Sequence, residues 1–193
     1  QPAIPSVDAS LPLGACGSSV ALMPTVDSNL SIDQRPERLV SAQGEQLPLE
    51  MWLFNYGDTD FTWSESESAV LLVVKDEVVV GWSWREEGVL PTLPPSGDRR
   101  ISDFGPAVVC EQGALVPSGA ATAAEPLPAG EYSTLAVVSS LEDDPENPLS
   151  IHPGGEGTLT LLPAGTDPGP ALARYQIDEV DLPECGEPLA GYT

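Results

Sequence analysis

Apolar residues in this chain come in short blocks with a period of two, or in unbroken runs, separated by Gly, Pro and acidic turns; no stretch sustains a 3.6-residue period. The densest blocks lie in residues 46–84. The pattern predicts successive antiparallel strands over 47–55, 61–64, 69–74 and 78–84, with Tyr56-Gly57-Asp58-Thr59-Asp60 as a polar turn. In the first of these, alternation places Leu47, Leu49, Met51 and Leu53 on a core face. Glu50, Trp52 and Phe54 fall on the opposite face, which we expect the 90–125 connection or a neighbouring module to cover in part. Lys75-Asp76-Glu77 separates VLLVV from VVVGWSW by a hairpin spacing, although the favoured Asn-Gly or Asp-Gly pair is missing. Trp82 and Trp84, two apart, project from one face; they read as packing residues first and as a carbohydrate platform second.

Before this region, residues 18–26 suggest a first short strand that Pro24 confines to an edge, and 30–40 an edge strand that Pro36 breaks so that the chain switches sheets. After it, 85–125 is a long connection with room for short strands at 90–93 and 105–110. Arg99 and Arg100, the only adjacent basic pair, are expected to pair with Asp98 and Asp103, with an anion site as the other reading. Tyr132 opens a strand after Leu127-Pro128-Ala129-Gly130, the position of a tyrosine corner in a sandwich. A hairpin of 135–141 with 158–162 completes the second sheet. Domain boundaries follow: an extended N-terminal leader over 1–13, a β-sandwich over 14–165, and a linker-like tail over 166–193. The echo between LGACGSSV at 13–20 and LPECGEPL at 182–189 marks that tail as the possible start of a further module.

The 21 prolines and 18 glycines among 193 residues disfavour helices, and the length suffices for one good core. Thirty acidic residues against 7 basic ones, for a net charge of -23, repel phosphate backbones and anionic headgroups, so nucleic acid is disfavoured as a partner. The single lysine, Lys75, suits a bacterial secreted or salt-adapted protein. No apolar run nears the roughly 18 residues of a membrane helix, and direct membrane insertion is not expected. The start of the chain reads as a mature product or an excised ectodomain. Three cysteines without CxxC spacing, with only His152 beside them, lack the ligands for a Cys/His zinc site and point to an oxidising compartment at the cell surface or outside the cell.

Catalytic chemistry finds little to stand on. His152 lies in a Pro-Gly-Gly context read as an exposed loop, without a Gly-x-Ser-x-Gly elbow, and thirty carboxylates make any chance pair uninformative. No cofactor is called for. Calcium is the one ion to weigh, at Glu142, Asp143, Asp144, Glu146 and Asn147 and again at Asn55, Asp58 and Asp60, though neither stretch has EF-hand spacing. Asn29-Leu30-Ser31 matches a glycosylation sequon.

The strand LEMWLFN at 49–55, the run VVKDEVVVGWSW at 73–84 and the turn LPAGEY at 127–132 together resemble the immunoglobulin-like domain of the bacterial intracellular proteinase inhibitor group and related secreted modules. The resemblance spans about residues 30–163. It implies an all-β fold: an antiparallel immunoglobulin-like β-sandwich with extended terminal segments and a long inserted loop. On that fold we expect Cys16 to pair with Cys110, leaving Cys185 free or paired outside the chain; Cys110 with Cys185 is the second pairing. The function expected is a non-catalytic extracellular structural, adhesion or self-assembling module with a protein partner or its own copies. The alternative is a protease inhibitor or a carbohydrate- or protein-binding accessory domain acting through the 85–125 loop or the Trp82/Trp84 face.

Overall fold

The computed structural model describes residues 5–22, 29–61, 68–85, 92–115, 124–141 and 149–169. The strands are β1 Leu30–Arg35, β2 Arg38–Ala42, β3 Glu50–Asn55, β4 Ser68–Lys75, β5 Val78–Trp84, β6 Asp98–Ile101, β7 Val108–Val109, β8 Gly130–Leu141 and β9 Leu149–Leu162. They make an all-β fold of two sheets, a three-stranded one ordered β1-β3-β6 and a six-stranded one ordered β2-β9-β8-β4-β5-β7.

The chain changes sheets at Pro36. Gln34 and the cis Arg35-Pro36 peptide end β1, which pairs with β3; two residues later β2 lies beside β9 in the other sheet. The expectation of an edge strand broken at Pro36 holds. The purely antiparallel expectation does not, because β2 and β9 run parallel, Arg38 opposite Thr158 through Ala42 opposite Leu162. Proline cannot extend a ladder it has no N–H for, and the chain leaves the corner running in the direction of β9. Gln34, 3% exposed, holds this corner: Thr134 Oγ1 on β8 donates to its Oε1 at 2.8 Å, and its Nε2 donates to the carbonyls of Pro36 and Glu37. At Gly154 a Cβ would strike the side chain and carbonyl of Ile32, so only glycine lets β9 pass β1 so closely.

Between the sheets lies the larger core. Leu71 and Val73 of β4, Val80 of β5, Ala136 and Val138 of β8, and Leu159 and Leu161 of β9 meet Ile32, Met51, Leu53 and Ile101 from the smaller sheet. Leu47, Leu49, Met51 and Leu53 are all buried, as the alternation requires. The six-stranded sheet is also buried on its far face, where Val70, Leu72 and Val74 of β4, Val79 and Trp82 of β5, and Leu135 and Val137 of β8 form a second cluster. Its cover is the segment 5–22 together with residues near Cys110, and the Cys16–Cys110 disulfide joins the two across a separation of 94 residues. The segment is pinned by backbone hydrogen bonds from Gly17 N to Val79 O, Val79 N to Ser18 O and Cys16 N to Ala114 O.

Local chemistry accounts for the other departures from the sequence reading. Where the sequence predicts a strand over 18–26, the backbone makes one bridge from Ser19 to Val78 of β5 and then a 3-10 turn at Val20–Leu22, lying along β5 as a cover; residues 23–26 lie outside the described residues. Phe61 forms an isolated bridge with Leu93, and 62–64 lie outside the described residues. The 85–125 connection supplies β6, unanticipated because Asp98, Arg99 and Arg100 are all exposed, and β7, shorter than the expected 105–110. The β4–β5 turn is tight without glycine because Asp76 and Glu77 both adopt positive φ, 51° and 64°, the backbone a two-residue hairpin needs. β9 begins well before 158 and sets another register: Thr158 faces Ser133 and Leu161 faces Gly130. His152 therefore sits in a strand, opposite Val138, and not in a loop; the ladder slips between Leu135 and Val137, next to Pro153, the kind of irregularity that accommodates a proline.

Two outcomes test this packing. Gly81 pairs with Val109, and a Cβ there would run into the Val108 carbonyl and come within 2.7 Å of Leu127 Cδ1. Gly81→Ala should lose about 1 to 3 kcal/mol of unfolding free energy in urea denaturation, with an unchanged β-type circular dichroism spectrum. Cys16→Ser/Cys110→Ser, which reopens a long loop in the unfolded chain, should cost about 3 to 5 kcal/mol in the same measurement.

Candidate functional site

The exposed surface with the most distinctive chemistry is the outer face of the small sheet. β3 alternates cleanly: Met51, Leu53 and Asn55 point inward, while Glu50, Trp52 and Phe54 are half-buried on the outside. Directly opposed residues in an antiparallel pair share a face, so the register builds rows across the sheet. Asp33, Trp52 and Arg100 form one row, and Ser31, Phe54 and Asp98 the next. Tyr56 prolongs the line beyond the strand at 72% exposure.

The three rings form a continuous strip. Trp52 and Phe54 have centroids 6.2 Å apart with planes 15° from parallel; Phe54 and Tyr56 are 6.3 Å apart at 20°. Arg35 reaches from β1 so that its guanidinium carbon stands 5.2 Å from the Trp52 ring centroid and 6.0 Å from that of Phe54, an arrangement favoured by the negative ring faces. Asp33 pairs with Arg35 at 3.5 Å. Glu50 ties the other side together, accepting from Trp52 Nε1 at 3.2 Å and from Arg100 Nη1 at 3.2 Å. These ion pairs are solvent-exposed and each contributes only about 0 to 1 kcal/mol to stability. Their effect is local: carboxylates and guanidiniums nearly cancel here, in a chain whose net charge is -23.

Asn55 anchors the Tyr56 end from beneath. Buried at 2% exposure, it donates from Nδ2 to the carbonyls of Thr59, Leu93 and Pro94 at 2.9, 3.0 and 3.2 Å, and its Oδ1 accepts from Gly57 N at 2.9 Å. Tyr56 N also donates to Asn29 O at 2.6 Å. The turn after β3 is thereby fixed to the 92–97 loop, and the strip ends on rigid backbone. These bonds engage both ends of the amide of Asn55, the residue weighed with Asp58 and Asp60 as a calcium ligand. Among the described residues no group of three or more His, Cys, Asp or Glu side chains is arranged to hold a metal ion.

The residues singled out from sequence are placed as follows. Cys16 and Cys110 are bonded to each other, and Cys185 lies outside the described residues. Trp82 is 5% exposed and Trp84 half-buried, both on the far-side cluster. A bulge puts them there. The β4–β5 register steps from Val74 opposite Val79 to Val73 opposite Gly81, so Val78 and Val80 enter the inter-sheet core while Trp82 and Trp84 turn the other way. Among the described residues their buried indole N–H groups meet no acceptor, which fits tryptophans used for packing area. Arg100 pairs with Glu50 and not with Asp98 or Asp103, because β6 lies antiparallel to β3; Asp103 instead accepts from Ser102 Oγ. Arg99 is exposed beside it, opposite Leu53. Glu142, Asp143, Asp144, Glu146 and Asn147 lie outside the described residues. Sequence alternation had already set Glu50, Trp52 and Phe54 on one face; β6 flanks that face as a third strand and does not cover it.

No protein-family model, curated protein or solved structure matches this chain.

Removing the Asn55 amide should be felt at the strip's end. Asn55→Leu, which strands several buried carbonyls and the Gly57 N–H, should cost about 1 to 3 kcal/mol in urea denaturation. It should also speed amide hydrogen exchange at Tyr56 and Gly57, whereas a change confined to global stability would leave their local exchange alone.

Proposed function

We propose that this chain is a non-catalytic extracellular binding or adhesion module, built on an immunoglobulin-like sandwich, that meets its partner through the outer face of β1-β3-β6. One observation carries the reading: the Trp52, Phe54 and Tyr56 rings stand in line on the outer face of the sheet, the first two half-buried and Tyr56 exposed, with paired charges on both flanks. Aromatic surface left in contact with water costs free energy that burial against a partner recovers, and such strips are characteristic of interaction sites.

Support for the immunoglobulin-like architecture comes from strand order. β9, β8 and β4 neighbour one another as the G, F and C strands of such a sandwich do, β5 extends that sheet as C′ does, and β1, β3 and β6 match A, B and E; β7, which follows β6 in the chain, lies outside that scheme. Tyr132 adds to it: near the start of β8, its hydroxyl donates to Pro128 O at 2.8 Å, a tyrosine-corner bond, and burial pushes the phenol pKa up, keeping the proton in place. The Cys16–Cys110 bond, sealing a cover over the far face of the larger sheet, fits an oxidising location outside the cell.

The face is tested by presenting wild-type protein and Trp52→Ala/Tyr56→Ala to arrayed extracellular polymers, both glycans and matrix proteins. Wild type should be retained on at least one class and the double variant, folded by circular dichroism, should lose that retention. Equal retention of both proteins would show that binding uses another surface and overturn the reading.

A further inference from the structure

We infer that the strip takes a neutral, β-linked pyranose chain, a reading that rests on the outer face of β1-β3-β6 being the binding surface. The first argument is shape. Sugars with mostly equatorial hydroxyls present axial C–H bonds on both ring faces, and β-linkage extends such rings into a flat ribbon. Those polarised C–H groups sit favourably against electron-rich aromatic rings, and the stacked line of Trp52, Phe54 and Tyr56, with Tyr56 its exposed member, offers the ribbon a continuous apolar border.

The second argument is the polar rim. Along the strip stand planar groups able to meet hydroxyls from both directions: Arg35 and Arg100 as donors, Asp33, Glu50 and Asp98 as acceptors. Guanidinium and carboxylate planes each span two neighbouring hydroxyls. Arg35, held by Asp33, stands over both Trp52 and Phe54, so Tyr56 is the ring left open and the guanidinium plane continues the surface beside it.

The third argument is charge. Arg35–Asp33 and Arg100–Glu50 are already paired, and a charged ligand would have to compete with a partner in place. An anionic polysaccharide would also face the net charge of -23 as it approached. A neutral glycan need not break either pair, since its hydroxyls can share the N–H groups and oxygen lone pairs the pairs leave over, and its binding should depend little on salt, in contrast to a polycation drawn in by the overall charge.

Affinity electrophoresis of the full chain in gels carrying a soluble mixed-linked β-glucan, a xylan or a galactomannan tests this, with polygalacturonate and poly-arginine as the anionic and cationic comparisons. Retardation by at least one neutral polymer is expected, unchanged by added salt. Phe54→Ala and Tyr56→Ala should each weaken it about tenfold, the scale of one lost stacking contact. Val7→Ser, at an exposed apolar residue away from the strip, should leave it unchanged. Absence of retardation by every neutral polymer overturns the glycan inference. If poly-arginine or an arrayed matrix protein is then bound and lost in Tyr56→Ala, the face survives as a protein-binding surface. Glycan retardation that persists in both ring variants overturns the inference and the choice of face together.

Discussion

The constraint on which the structure depends is the double-sided burial of the central strands of the larger sheet. Val70, Leu71, Leu72 and Val73 of β4 are all inaccessible to water, as are Val79 and Val80 of β5 and Ala136, Val137 and Val138 of β8. A sheet so apolar on both faces must be covered twice. The small sheet provides one cover; segment 5–22, clasped to the Cys110 region, provides the other. Irregular chain makes a poor lid, since it has few ladder bonds to hold it against its own entropy. The disulfide offsets that weakness by closing a 94-residue separation at the point where the lid meets the sheet.

A second constraint works at the corner between the sheets. β1 belongs to one sheet and β2 to the other, and the buried Gln34 amide is shared among Thr134 and the carbonyls on either side of the turn. A buried amide satisfied at both ends specifies one arrangement, because any slip would leave polar groups unpaired in a dry interior. The same corner fixes the register of β1 against β3, and hence which residues join Trp52 and Phe54 on the outer face.

That face follows from the first constraint by subtraction. With only three strands and one core to cover, the small sheet keeps, among the described residues, an outer surface partly open to solvent, and strict alternation in β3 brings the half-buried Glu50, Trp52 and Phe54 to it. Rigidity comes from the opposite side of the same strand: Met51 and Leu53 are fully buried and Asn55 locks the following turn. Ring spacing is thus dictated by strand geometry and held by the core, which suits recognition of a regular, extended ligand.

The sequence left Cys110 two pairings, with Cys16 or with Cys185, but by itself it determined the all-β class, the break at Pro36, the buried face of β3 and the β4–β5 hairpin. These rest on local physics: period-two alternation, the missing proline N–H, the run of β-branched residues. It also placed Trp52 and Phe54 on one face without saying that the face stays open. Tertiary structure alone decided the rest. A bulge at Val80 sent Trp82 and Trp84 into the far-side packing, a polar segment at 98–101 became the strand beside β3, and β2 joined β9 in parallel. None of these has a local signature, because each depends on which neighbour satisfies the backbone hydrogen bonds and covers the exposed apolar area. Alternation tells which residues share a face; only the assembled sheets tell which faces remain in water.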